Sequence, residues 1–392
     1  MNLPDPRPIE AFLEPRHLAL ADEAAAFAAR EIAPRGPAAD DAAARLEARE
    51  LAALLASCGA LRAVVPAAYG GLESAPDLRA ACLWREALAA ASPLADAVFA
   101  LQALGSLPVA LAGDEALRRR WLPEVVAGRA LAAFAMTEPG AGSDVAALAT
   151  RAVRDGADYV LDGAKHLISN AGIADFYSVF ASTDPSAGGR GISCFLVPAE
   201  TPGLRFVAAQ VLSEPHPLGA IAFESCRVPI GNRLGGEGAG FKLGLATLDR
   251  LRPTVGAAAC GLAARALEEA LGFALGRRQF GQPIADLQLV QQKLARMATD
   301  LDAARLLTYR AAREIDLGGR RATGASAKAK LFATEAAQRI VDDAVQIHGG
   351  RGVLAEATVD RLYRAVRALR IYEGTSEIQH LVIARELLRG PE

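Results

Sequence analysis

From about residue 8 to residue 127 apolar positions recur at helical spacing, rich in Ala and Leu, with acidic and basic residues between them. Breaks fall at Pro34–Pro37, Pro66–Gly71, Pro93 and Gly113, so the stretch predicts a bundle of short helices. Between roughly residues 131 and 238 the apolar runs shorten and glycines and prolines rise. Tyr159–Leu161, Phe176–Ala181, Ile192–Val197 and Leu204–Val211 are enriched in β-branched and aromatic residues and predict strands. Asp162-Gly163 is a preferred pair for a two-residue hairpin turn, and Asp155-Gly156 repeats the signal. Long helical periodicity returns from Phe241 to Arg389, where Leu287, Val290, Leu294, Met297 and Leu301 step by three and four along one helix face. Ser376 with Gln379 three residues on predicts the capped start of a last helix. The order helical, β, helical predicts an α+β protein: an N-terminal all-α domain over 1–130, a middle antiparallel β domain over 131–238 and a C-terminal helical domain over 239–392.

Composition narrows the classes. At 392 residues the chain is long enough for two or three folding units, and 52% hydrophobic with 22% charged residues excludes disorder and low complexity. A net charge of −2, with both signs dispersed, leaves no basic field for nucleic acid, so the expected partner is a small molecule. Cys58, Cys82, Cys194, Cys226 and Cys260 are isolated along the chain and predict reduced thiols. His17, His166, His216, His348 and His380 show no ligand spacing, so no metal is expected. The opening MNLPDPRPIE has no signal-peptide core, which predicts a cytoplasmic setting. The longest charge-free stretch, between Asp96 and Asp114, is broken by Gln102, Gly105 and Pro108, so no membrane span is expected.

Four segments could carry chemistry. Met136-Thr137-Glu138-Pro139-Gly140-Ala141-Gly142-Ser143-Asp144 is small and hydroxyl-bearing, suited to a phosphate or a ring edge, though such a loop serves equally as a turn. Gln346-Ile347-His348-Gly349-Gly350-Arg351-Gly352 ends a predicted helix, where glycine is an ordinary stop. Arg277-Arg278-Gln279-Phe280-Gly281 offers guanidinium groups to phosphate or to a helix dipole. In Ile371-Tyr372-Glu373-Gly374-Thr375-Ser376-Glu377 the Glu373 carboxylate is either a solvated loop residue or a base desolvated by a closing substrate.

Together these segments resemble the acyl-CoA dehydrogenase family over nearly the whole chain: TEPGAGSD at 137–144, RQFG at 278–281, QIHGGRG at 346–352 and IYEGTSEIQ at 371–379 fall in the family's order. The resemblance implies a helical domain, a β domain and a C-terminal four-helix bundle, with FAD as cofactor. It implies that Phe134, Met136, Thr137, Gly142 and Ser143 line the flavin, that Leu167, Ile168 and Ser169 pack on it with Ser169 near N5, and that Thr375 and Ser376 contact it. Arg277, Gln279, Phe280, Gln346, Gly349 and Gly350 then hold the adenine dinucleotide of a neighbouring subunit, which implies a homo-oligomer, a tetramer or at the least a dimer. Ser143, Asp249, Arg252, Gly374 and Arg385 are the implied acyl-CoA contacts, and Glu373 the implied base. The alternative base position of some branches falls on Leu251, which cannot take a proton.

The implied reaction is α,β-dehydrogenation of an acyl-CoA to the 2-enoyl-CoA, with electrons passed to an electron-transferring flavoprotein. An acyl-CoA oxidase using oxygen, or a non-oxidative member such as a desulfinase, is the same-fold alternative. Three positions depart from the family: Leu167 stands where many members have Trp, Glu214–Gly219 replaces a polar stretch, and Ala365 stands where an acidic residue follows the Arg. His166 and His216 receive no role.

Overall fold

The computed structural model describes residues 5–318 and 322–389. The chain forms two compact units: Met1–Gly36, Leu78–Asp96 and Asp249–Glu392 make the first, Pro37–Asp77 and Ala97–Leu248 the second. The helices are α1 (Pro15–Phe27), α2 (Asp41–Ser57), α3 (Leu78–Ala91), α4 (Pro93–Ala112), α5 (Glu115–Val126), α6 (Gly240–Gly276), α7 (Gln288–Asp316), α8 (Thr323–His348), α9 (Thr358–Leu369) and α10 (Ser376–Arg389).

In the first unit the core is Ala-rich and formed by α6 to α9 with part of α3, and Met297 and Leu301 of the sequence-predicted stripe are buried in it while Leu287, Val290 and Leu294 pack against it. Residues Leu78 to Ala90 of α3 are all buried, Arg79, Arg85 and Glu86 included. A buried charge needs a partner. Arg79 pairs with Asp316, Arg85 with Asp96 and Glu86 with Arg305.

The second unit holds an eight-stranded sheet in the order β6-β7-β3-β2-β4-β5-β8, with β1 beside β4. Its strands are β1 (Ala132–Ala135), β2 (Arg151–Asp155), β3 (Asp158–Ser169), β4 (Phe176–Ser182), β5 (Ile192–Pro198), β6 (Leu204–Ala209), β7 (Leu218–Pro229) and β8 (Arg233–Leu234). Pairing is antiparallel except at β1–β4 and β2–β4, which are parallel. The Asp155-Gly156 turn joins β2 to β3 as expected. Asp162-Gly163, expected as a second turn, lies instead inside β3 at a register shift. Gly163 takes φ +146°, and a Cβ there would come within 2.6 Å of Thr150 Oγ1, so this glycine serves a bulge.

Helix α4 fixes where the glycine-rich loop begins. Gln102 donates to Ala130 O at 2.8 Å and accepts from Ala132 N at 2.9 Å, while Ser178 Oγ donates to Gly105 O at 2.8 Å. A Cβ on Gly105 would lie 2.6 Å from Ala132 Cβ, so glycine lets β1 approach the helix. The helix runs through Pro108 without interruption. Among the described residues α4 alone is long and apolar enough to cross a bilayer, with mean hydropathy 1.6, yet 78% of that window is buried inside the protein.

Candidate active site

Glu373 sits in the turn between α9 and α10 with φ +55°, a conformation rare for a residue with a Cβ, and Gly374 follows at φ +96°. A Cβ on Gly374 would meet Gln379 Nε2 at 2.6 Å. The two left-handed residues turn their carbonyls inward, and three side chains meet them. Arg252 Nε donates to Glu373 O at 3.1 Å, and Lys330 Nζ and Gln379 Nε2 donate to Gly374 O at 2.8 and 2.9 Å. Asp249 accepts from Arg252 and, at 2.8 Å, from Thr323 Oγ1, which holds that guanidinium in place.

The carboxylate itself is left apart: Glu373 Oε2 is buried and has no hydrogen-bond partner. Burial pushes its pKa above the ordinary carboxylate value, against the pull of Arg85, Arg252 and Lys330. Burial likewise draws the Lys330 ammonium down to about 8, against the pull of Glu373. Arg85 lies in the same corner, paired to Asp96 at 2.7 and 2.8 Å and donating to Thr254 Oγ1 at 3.1 Å. Tyr372 is within its electrostatic reach.

The start of α10 differs from the expected cap. Thr375 Oγ1 accepts from Ile378 N at 3.3 Å and is the capping side chain, while Ser376 Oγ donates to Glu335. Gln379 is turned back onto the carbonyls before the helix. Arg385 is exposed on α10, about 15 Å along the axis from Thr375, and takes no part in the Glu373 cluster. Leu251 is buried beside Arg252.

A second group in the same unit lies at the ends of α6 and α8. β9 (Arg278–Gln279) and β10 (Gln282–Pro283) form a hairpin whose two-residue tip, Phe280 and Gly281, has φ +51° and +82°. Phe280 is 89% exposed, and Arg277 and Gln279 are exposed beside it. Gln346, Gly349 and Gly350 are exposed at the end of α8. A Phe273–His348 stack, 4.4 Å between centroids, ties the two helix ends together.

In the second unit the loop after β1 is anchored by Glu138. Its Oε1 accepts from Lys165 Nζ at 2.7 Å and Thr150 N at 3.0 Å, and Oε2 from Ala149 N at 2.6 Å. Burial opposes its charge, but Lys165 and these donors hold its pKa below the ordinary value. Lys165 also donates to Met136 O at 3.2 Å, and Thr137 O accepts from His166 N at 2.9 Å, so the loop is stitched to β3. Phe134 packs on Phe180 at 4.8 Å. Past the anchor the loop opens, with Gly142 and Ser143 exposed. On β3, Ile168 is buried, Leu167 is 51% exposed at φ +55°, and half-buried Ser169 hydrogen-bonds to His216 at 2.7 Å.

Lys330, Arg85, Asp96 and the Glu138–Lys165 anchor were not singled out from the sequence, and Gln379 was read only as part of a helix cap. Lys330 did leave a trace. It lies in step with Ala327, Ala333 and Ala337, the one cation on a buried face that otherwise carries only alanines and the small hydroxyls Ser326 and Thr334.

The first unit thus holds a desolvated, unpartnered carboxylate, and the second an open glycine loop near the Ser169 hydroxyl. The acyl-CoA dehydrogenase N-terminal, middle and C-terminal domain families match residues 14–129, 133–226 and 238–388. The chain is 41% identical over 368 residues to a probable acyl-CoA dehydrogenase, fadE25, of Mycobacterium leprae, covering 93% of each. The structure of butyryl-CoA dehydrogenase from Megasphaera elsdenii superposes with a TM-score of 0.90 at 34% identity, over 96% of this chain and 99% of that one. A glutaryl-CoA dehydrogenase from Mycobacterium smegmatis in complex with FADH2 gives a TM-score of 0.87 at 28% identity, over 98% and 97%. The chain belongs to the acyl-CoA dehydrogenase family, and it is an oxidoreductase of a kind that binds FAD. Its residues fit that cofactor: open space surrounds Gly140 and Gly142 where a Cβ would stand, and Ser143 and Ser169 offer hydroxyls at accessible positions.

Proposed function

We propose that the protein dehydrogenates an acyl-CoA thioester to its 2-enoyl-CoA, with Glu373 taking the α-proton at its carboxylate. The observation that carries this reading is the buried Glu373 Oε2 without a partner. An acceptor atom that is dry, unpaired and raised in pKa is poised to bind a proton, whereas one satisfied by cations would hold none. Arg252, Lys330 and Gln379 donate to the main chain of Glu373 and Gly374, so they fix the base in its strained turn without neutralising it. Main-chain N–H groups at this turn are suited to polarise the thioester carbonyl as charge develops on it. Asp249, Arg252, Gly374 and Ser143 are assigned to the substrate and Arg385 to the CoA phosphates.

Phe134, Met136, Thr137, Gly142, Ser143, Leu167, Ile168, Ser169, Thr375 and Ser376 are assigned to the cofactor, with Arg277, Gln279, Phe280, Gln346, Gly349 and Gly350 holding the dinucleotide of a neighbouring copy in a homotetramer. FAD supplies the two-electron acceptor for the departing β-hydrogen. The Phe280 ring, 89% exposed and held out at a left-handed hairpin tip, supports a partner at that hairpin. We assign the protein to acyl-CoA catabolism in the cytoplasm, with an electron-transferring flavoprotein as acceptor, and divide it functionally at 1–130, 131–238 and 239–392.

The test is anaerobic addition of straight, branched, cyclic and aromatic acyl-CoA thioesters to the purified protein while its visible absorption is followed. Bleaching of the flavin band by one class, abolished in Glu373→Gln with FAD still bound, is the expected result. A yellow protein that no thioester reduces, or a Glu373→Gln variant that bleaches at the original rate, overturns the reading.

A further inference from the structure

The departure at Glu214–Gly219 places a histidine against Ser169, the hydroxyl assigned above to the flavin. His216 Nε2 lies 2.7 Å from Ser169 Oγ, and its Nδ1 is buried without a partner. The approach is enforced by the sheet, because β7 starts two residues later with Leu218 in register opposite Ser169, and Asn170 N donates to Pro217 O at 2.8 Å. Pro215 and Pro217 flank the histidine and restrict its backbone. The charged groups facing it come from α2: Arg45 donates to Ala171 O at 2.7 Å and Leu218 O at 2.6 Å, and Asp41 pairs with Arg45 at 2.6 Å. Burial, then Arg45, push the imidazole down to about 4, so at neutral pH it carries one N–H.

That single proton has two places to be. On Nδ1 it would be a buried donor with no acceptor, and the bare Nε2 would consume the Ser169 hydrogen. On Nε2 it is given to Ser169 Oγ, and the hydroxyl hydrogen is released. We propose that His216 is a positioning residue: it donates through Nε2 to Ser169 Oγ and so turns the Ser169 hydroxyl hydrogen toward an acceptor atom of the FAD ring. The inference rests on the assignment of Ser169 to the flavin.

The experiment compares holoenzymes carrying Ser169→Ala, His216→Met, which keeps bulk without a donor, His216→Gln, which restores one, and the Ser169→Ala/His216→Met double variant. Readouts are the FAD dissociation constant, from flavin fluorescence on dilution, and the reduction potential of the bound flavin, with thermal midpoints confirming folding. Ser169→Ala and His216→Met are each expected to weaken FAD binding by up to about tenfold and to move the potential in one direction. The double variant is expected to be no worse than either single one, and His216→Gln to stay within about twofold of the parent. If His216→Met matches the parent while Ser169→Ala does not, if the two effects multiply, or if Gln behaves as Met, the inference fails and the Ser169 assignment stands. If Ser169→Ala changes neither readout, the assignment itself is wrong.

Discussion

Two glutamates with buried carboxylate oxygens, one in each unit, stand beside a buried lysine and meet opposite fates. Glu138 receives Lys165 directly at 2.7 Å, together with two backbone N–H groups, and its pKa falls. Glu373 has Lys330 and Arg252 within hydrogen-bond reach of its turn, yet both cations donate to main-chain carbonyls, Oε2 is left alone, and its pKa rises. Proximity of a cation therefore does not decide what a buried carboxylate is for. What decides it is which oxygen the cation's hydrogens are given to: the side chain in the structural case, the backbone in the catalytic one.

The contrast can be broken most severely at the base. Glu373→Gln is expected to lower kcat by about 10²–10⁴-fold while FAD remains bound, measured by anaerobic flavin reduction. Glu138→Gln should act on folding instead, because Lys165 is left buried and uncompensated; a loss of about 3–5 kcal/mol in denaturant unfolding is expected. A second pair of variants sharpens the electrostatics of Glu373. Lys330→Met removes a cation that holds its pKa down, and Gln379 still serves Gly374 O, so the acidic limb of kcat/KM should move to higher pH. Asp96→Asn removes a like charge, so the limb should move to lower pH. Shifts in one common direction would refute the arrangement.

The smallest effect concerns stability against pH. The folded pKa of Glu138 is depressed, so its contribution is present above the unfolded value of about 4.3 and is lost as pH falls through the folded value. The folded pKa of Glu373 is raised, so its contribution is present below about 4.3 and is lost as pH rises through the folded value. Glu373→Gln should accordingly melt slightly higher than the parent at neutral pH, with the difference vanishing toward pH 4. A melting temperature below the parent's at pH 7 would contradict this.

Periodicity made the succession of helical and β segments legible, since a helix stripe or an alternating strand is written locally. The misreadings have local causes as well. Asp162-Gly163 carries a turn signal, but the sheet uses its glycine for a bulge against Thr150. Ser376 was one residue late as a cap because its hydroxyl is drawn to Glu335 on α8. The position of Glu373 was legible only through the resemblance of its motif. Arg85, Asp96 and Lys330 come to it from separate stretches of chain, and no spacing in sequence announces that convergence. Positive φ at Leu167, Phe280 and Glu373 was equally invisible, since the side chains there are those that ordinarily avoid it.

Helix α4 has a bearing on how the protein is made. Its apolar length suits a lipid core, yet the Ser178 hydroxyl that caps Gly105 lies 73 residues further along the chain. At ordinary translation rates of about 5–20 residues per second, roughly 4–15 s pass between synthesis of the helix and synthesis of that partner. For that interval the helix lacks the Gly105–Ser178 contact that holds it against β4 in the folded protein.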